Sequence, residues 1–109
     1  MIFKILSRSE AATFLETGTF TGTALDKADG FIHLSGRDQL EGTLDCHFAG
    51  QQYLVIAAID VSKVGGKLRW ERSRGGADFP HLYADLTLEM LNYLSPLRKR
   101  EDGTVDLPA

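Results

Sequence analysis

Two stretches of this 109-residue chain gather the side chains that could do chemistry. The longer runs from Arg69 to Tyr83 and carries Glu71, Arg72, Arg74, His81 and Tyr83 around a Gly75-Gly76 pair. The shorter, Gly30-Phe31-Ile32-His33-Leu34-Ser35, carries an imidazole and a hydroxyl. Histidine titrates near neutrality, so a carboxylate meeting it makes an acid–base or ribose-binding pair; Glu71 with His33 and His81 is the candidate set. The competing reading is a structural network in which Glu71 pairs with Arg69 or Arg74 and both histidines are merely hydrogen-bonded. The residues alone leave both readings open.

Period-two alternation decides where these groups point. Leu68 and Trp70 fall on one face of a predicted strand and Arg69 and Glu71 on the other, with Trp70 expected in the core. Gly75-Gly76 permits positive φ and ends that strand. Pro80 biases Phe79 towards extended backbone, so a short strand restarts with His81 and Tyr83 on one face. In the other stretch Ile32 and Leu34 share a face, and Phe31, His33 and Ser35 share the opposite one. A glycine-hinged loop with Arg72 and Arg74, held between a Glu-bearing and a His-bearing strand, is a common support for a small-molecule site.

Other constellations are weaker. His33, His47, His81 and Cys46 offer no pair at metal-ligand spacing, so no metal is predicted. Cys46 stands beside Asp45, which disfavours a thiolate, and is expected in the core. Ser35 lacks the tight Gly-x-Ser-x-Gly turn and reads instead as the N-cap of a helix with Asp38 at N3.

The supporting elements follow in order. Ile2–Leu6 reads as a strand. Ser7 and Glu10 form a capping box for a helix from about Arg8 to Glu16, stopped at Gly18, with Ala11, Ala12, Phe14 and Leu15 on its buried side. Phe20–Leu25 is expected to be extended. Leu40, Leu44 and Phe48 recur at four-residue spacing in a second helix. Tyr53–Asp60 reads as a central strand buried on both faces. Leu86–Leu91 is expected to hold one helical turn, and Asn92–Leu97 a closing strand, with Pro96 restricting it to an edge or bulge. Strands and helices mix without regular alternation, which predicts an α+β fold.

The chain should form one domain over residues 1–109, with a tail from about 101. A net charge of -3 and a pI near 5.5 argue against a nucleic-acid face, and Arg98-Lys99-Arg100 reads as a solvated strand end. One cysteine excludes an internal disulfide, no long apolar run follows Met1, and the longest apolar run, Tyr53–Ile59, is too short to span a bilayer. A soluble, cytoplasmic protein is expected. Composition and spacing say nothing about oligomeric state.

Three motifs, Ala28 to Ser35, His47 to Gln51, and Leu-Arg-Trp-Glu through Phe-Pro-His-Leu-Tyr, resemble those of the bacterial domain of unknown function family 952. The resemblance covers nearly the whole chain; Ala84 stands where glycine is expected. It implies the ADP-ribosyltransferase-like fold, split sheets with two helices, and similarity to that superfamily's RNA 2'-phosphotransferase branch. By that resemblance Lys4 falls where the superfamily has a ribose-binding His or Arg, His33 and Ser35 fall on the His-Leu-Ser strand, and His81 lies near the late motif that carries a catalytic Glu. No carboxylate stands at that late motif, and Glu71 on the preceding strand is the substitute. The implied function is binding of NAD or a nucleotide-like ligand, with ribosyl or ADP-ribosyl transfer or hydrolysis and NAD as candidate substrate. His33, Glu71 and His81 would be catalytic, and Lys4, Ser35, Arg74 and Tyr83 ligand-binding. The alternative is a non-catalytic nucleotide- or anion-binding module on a degenerate transferase fold.

Overall fold

Ser7 and Glu10 form the predicted capping box, each satisfying the other's backbone N–H, and this turns the first strand directly into the first helix. The computed structural model describes residues 1–98, 100–102 and 104–105; Lys99 of the basic cluster, Gly103, residues 106–109 of the tail and the Arg74 side chain lie outside the described part. Strand β1 (Ile2–Ser7) and helix α1 (Arg8–Thr17) are followed by β2 (Thr19–Phe20) and a short helix, α2 (Ala24–Asp29). Next come β3 (Ile32–His33), β4 (Ser35–Gly36), a 3-10 turn at Arg37–Gln39 and α3 (Leu40–His47). The second half contains β5 (Tyr53–Ile59), β6 (Leu68–Arg72), β7 (Asp78–Leu82), β8 (Leu86–Thr87) and β9 (Leu91–Arg98).

This is an α+β arrangement in which every described strand pairing is antiparallel. A four-stranded sheet runs β4-β1-β5-β9, a three-stranded one β3-β7-β6, and β2 pairs with β8. As predicted, β5 is central, with Leu54 and Ile56–Ile59 buried between β1 and β9. Pro96 lies on β9, the sheet edge, where its missing N–H interrupts no inner ladder. Two apolar clusters fill the two faces. Ile2, Leu6, Ala57 and Ile59 meet Ala11 and Phe14 of α1, while Phe3, Ile5, Ile56 and Ala58 meet Leu40 and Leu44 of α3. Gly75 and Gly76 adopt φ of 70° and 80°, the left-handed turn that reverses the chain from β6 into β7. No helix among the described residues is long and apolar enough to cross a membrane.

Several expectations are corrected. Three α-helices form, not two: Thr23 caps α2 in a reciprocal box with Asp26, where extended backbone was expected up to Leu25. Ser35 caps no helix, because it pairs with Phe3 in β4 and α3 begins only after a 3-10 turn. The Gly30–Ser35 strand is broken at Leu34 into β3 and β4. Trp70 is 51% exposed, because β6 is the edge of its sheet and only Leu68 from that face packs on the core. Cys46 is exposed on α3, and on α1 only Ala11 and Phe14 are buried, leaving Ala12 and Leu15 in solvent. The helical turn expected within Leu86–Leu91 does form, as a 3-10 turn at Leu88–Met90.

Candidate functional site

The site lies where the two main sheets part. On one side of the Ile32–Gly36 segment, Ile32 and His33 pair with Leu82 and His81 of β7, and Leu34 N–H donates to the Pro80 carbonyl at 3.0 Å. On the other, Ser35 and Gly36 pair with Phe3 and Ile2 of β1. At His33 the pairing to β1 has already stopped, and two side chains serve its backbone instead. Lys4 Nζ donates to the His33 carbonyl at 2.9 Å, and Asp26 Oδ1 accepts the His33 N–H at 3.0 Å. A buried backbone donor and acceptor need partners, and the Lys4–Asp26 pair supplies them where the strand ladder ends.

Asp26 is the hub. Its Oδ2 takes the Lys4 ammonium at 3.0 Å and the Thr23 N–H at 2.9 Å; its Oδ1 also faces Lys4, at 3.2 Å, and His33 Nδ1 at 2.6 Å. Burial alone would raise its pKa, but the Lys4 charge and the His33 and Thr23 hydrogen bonds outweigh that and hold it below the ordinary carboxylate value. Burial lowers the Lys4 pKa from its usual range, a shift that Asp26 and then Glu10 oppose. The three ammonium protons of Lys4 have three partners: both Asp26 oxygens and the His33 carbonyl.

The two histidines sit opposite each other in the β3–β7 register but are held differently. His33 has a carboxylate at each ring nitrogen, Asp26 at Nδ1 and Asp29 at 2.9 Å from Nε2. His81, 4% exposed, stacks on Phe31 at 4.0 Å between centroids and meets the edge of His33 at 5.5 Å. Its Nδ1 lies 2.9 Å from Glu71 Oε1, which also accepts the Tyr83 hydroxyl at 2.7 Å. Those bonds, Tyr83's first and His81's second, lower the Glu71 pKa, and the same bond raises that of Tyr83. An ionised carboxylate only accepts, so the proton of this contact belongs to Nδ1, and the neutral form of the ring has its lone pair on Nε2. That Nε2 is buried and has no hydrogen-bond partner among the described residues.

A cleft of about 370 Å³ opens between the sheets and α3. Lys4, His33, Ser35 and His81 all line it, with Phe3, Phe48 and Phe79 among its apolar walls. Glu71 and Tyr83 do not: they border a separate shallow depression with Arg69, so Glu71 reaches the cleft only through His81. Ser35 Oγ lies 2.7 Å from Thr43 Oγ1 on α3. The Arg74 side chain lies outside the described residues. Among the described residues no group of three His, Cys, Asp or Glu is arranged to hold a metal.

Asp26, Asp29, Phe31 and Thr43 are site residues that the sequence reading missed. Asp26 had a signal: Thr23-x-x-Asp26 is a capping box, and a helix there necessarily carries the acid to the end of β3. Phe31 had one too, since alternation places it on the face of His33; Asp29 and Thr43 had none that was local.

A family profile described as "Protein of unknown function (DUF952)" matches residues 5–92. Among curated proteins none matches. The crystal structure of protein CC0527 from Caulobacter crescentus is similar at a TM-score of 0.89 and 44% identity, over 96% of this chain and 92% of that one. Its solution structure gives 0.83 and 45%, over 95% and 89%.

Proposed function

The chain belongs to the DUF952 family, and from the cleft between its sheets we propose that it binds a nucleotide-like small molecule through a hydrogen-bond donor placed on His81 Nε2. One observation carries this reading: His81 lines the cleft, its ring is oriented by Glu71 from behind, and its buried Nε2 has no partner among the described residues. Leaving such an acceptor unsatisfied costs about 1–3 kcal/mol, which a ligand donor would recover. Aromatic and aliphatic walls with a few fixed polar groups suit a base or nicotinamide ring. The split of a four-stranded and a three-stranded sheet around the cleft supports an ADP-ribosyltransferase-like fold, with NAD and ADP-ribose as the first candidate ligands.

A second reading, turnover of the ligand, is favoured by the Glu71–His81 pair. In ribosyl transfer or hydrolysis the C1'–N bond of NAD breaks with its electron pair leaving on the nicotinamide nitrogen, and an acceptor or water oxygen bonds to C1'. That oxygen's proton passes to His81 Nε2, and Glu71 stabilises the imidazolium. Glu71 thereby acts as a positioning residue. Binding without turnover is favoured by the state of the carboxylates that line the cleft: Asp26 is engaged by Lys4 and Glu10 by the Ser7 N–H, so neither is poised to face an oxocarbenium ion.

Thermal-shift titration with NAD, ADP-ribose and nicotinamide tests the reading. A ligand at a hundred times its dissociation constant stabilises the fold by about 2.7 kcal/mol. The shift should vanish in His81→Ala. Nicotinamide release from NAD that drops in Glu71→Gln would select turnover; binding without release selects the module. Absence of any shift with all three compounds would refute the proposal.

A further inference from the structure

The outer edge of β6 is complementary to itself, and from it we infer an interaction surface: a second copy of this chain adds its own β6 there, antiparallel, to make one sheet across a two-fold axis. This goes beyond the ligand reading and stands independently of it. At the two ends of the β6–β7 pair, Tyr83 N–H donates to the Lys67 carbonyl at 2.8 Å and Ser73 N–H to the Ala77 carbonyl at 2.9 Å. Hydrogen-bonded positions alternate along an antiparallel ladder, so Arg69 and Glu71 turn their backbone groups towards β7, and Leu68, Trp70 and Arg72 turn theirs outward. Pro80, which has no N–H to give, stands opposite Trp70, where none is needed. No strand lies beyond β6 among the described residues.

Charged side chains ordinarily discourage another strand from joining such an edge. Here they select a register instead. The symmetric registers with most overlap are centred on Arg69, Trp70 or Glu71. Centring on Arg69 sets that residue against its own copy, and centring on Glu71 does the same for the carboxylate; like charges directly opposite are destabilising. Centring on Trp70 sets Arg69 against Glu71 of the second copy, and the reverse, in non-hydrogen-bonded pairs with Cα atoms about 4.5 Å apart. The outward backbone groups then match: Trp70 pairs with its twin, and Leu68 with Arg72 in both directions.

Trp70, 51% exposed in one copy, gains an aromatic neighbour on its own face. The two-fold axis stands perpendicular to the joined sheet, so Arg69 and Glu71 of both copies lie on one side. Arg69 of the second copy thereby meets the Glu71 whose Oε1 already serves His81 and Tyr83.

Light scattering on size-exclusion fractions tests the pairing. At wild-type concentrations raised to about 1 mM, the mass should climb from 12.0 kDa to twice that. Arg69→Glu sets two carboxylates against each other and Glu71→Arg two guanidinium groups, so each variant alone should weaken dimerisation by about tenfold or more. Circular dichroism first establishes that each variant is folded. Mixed in equal amounts, the two again oppose unlike charges at both positions, and the mixture should regain the dimer. Trp70→Pro, which removes an outward N–H and none that β7 uses, should abolish it. A wild-type chain that stays at 12.0 kDa throughout, a dimer indifferent to Trp70→Pro or to both charge reversals, or folded variants that stay monomeric when mixed would overturn the proposal.

Discussion

Replacing Asp26 by Asn tests the electrostatic arrangement at the sheet split, because the side chain has no orientation that suits its neighbours. One carboxylate oxygen receives Lys4 and the Thr23 N–H; the other receives Lys4, the His33 N–H and His33 Nδ1. An amide NH2 at either position would point donors at two or more donors, and the Lys4 ammonium, 8% exposed, would lose its counter-charge. Breaking a buried ion pair from one side costs about 3–5 kcal/mol. For a domain of this size that is a fall in Tm of roughly 12–20 °C, at about 4 °C per kcal/mol. Urea denaturation followed by far-UV circular dichroism measures it, and Lys4→Met with Asp26→Asn should cost less than the two single changes added.

The pH dependence has a definite sign. A carboxylate with a depressed folded pKa contributes stability that is complete above its unfolded value and lost as pH falls through the folded one. The gap between wild type and Asp26→Asn should therefore be constant from neutrality down to about pH 5 and close below the ordinary value of 3.8. A loss under about 1 kcal/mol at pH 7, or a gap that stays constant into acid, would refute the hub role given to Asp26.

Two smaller changes are also informative. Tyr83→Phe removes the first cause of the low Glu71 pKa, which should move back up towards the ordinary value in a carbon-13 titration of the Glu side chains; an unchanged value would contradict the Tyr83–Glu71 bond. Gly18→Ala should cost about 1–2 kcal/mol by urea denaturation, because φ is 80° there while no atom lies within 4 Å of the added methyl, so backbone conformation alone is charged; a neutral effect would contradict the left-handed cap of α1.

The parts of the fold legible from sequence were those set by local rules. Ser7 and Glu10 announced the start of α1, the Tyr53–Ile59 run its central place, and Pro96 an edge. Alternation also put Phe31, His33 and Ser35 on one face and His81 with Tyr83 on another, and the β3–β7 register brings His33 opposite His81. What sequence could not give was depth along the sheet. Trp70 reads as core by alternation, yet its strand is an outer one; Glu71 reads as a cleft residue, yet the sheet interposes His81. Ser35 has the type and spacing of a helix cap, and only its pairing with Phe3 keeps it in a strand. Lys4 looks like a lone charge in an apolar strand until Asp26, 22 residues away, arrives to meet it.

The most direct test is a long-range proton–nitrogen correlation spectrum of histidine-labelled protein, recorded at neutral pH with and without ADP-ribose. In it His81 should show a protonated Nδ1 and a bare Nε2, and ADP-ribose should shift the Nε2 resonance as it takes a hydrogen bond. A proton found on Nε2 in the free protein, or an Nε2 resonance indifferent to saturating ADP-ribose, would contradict the account.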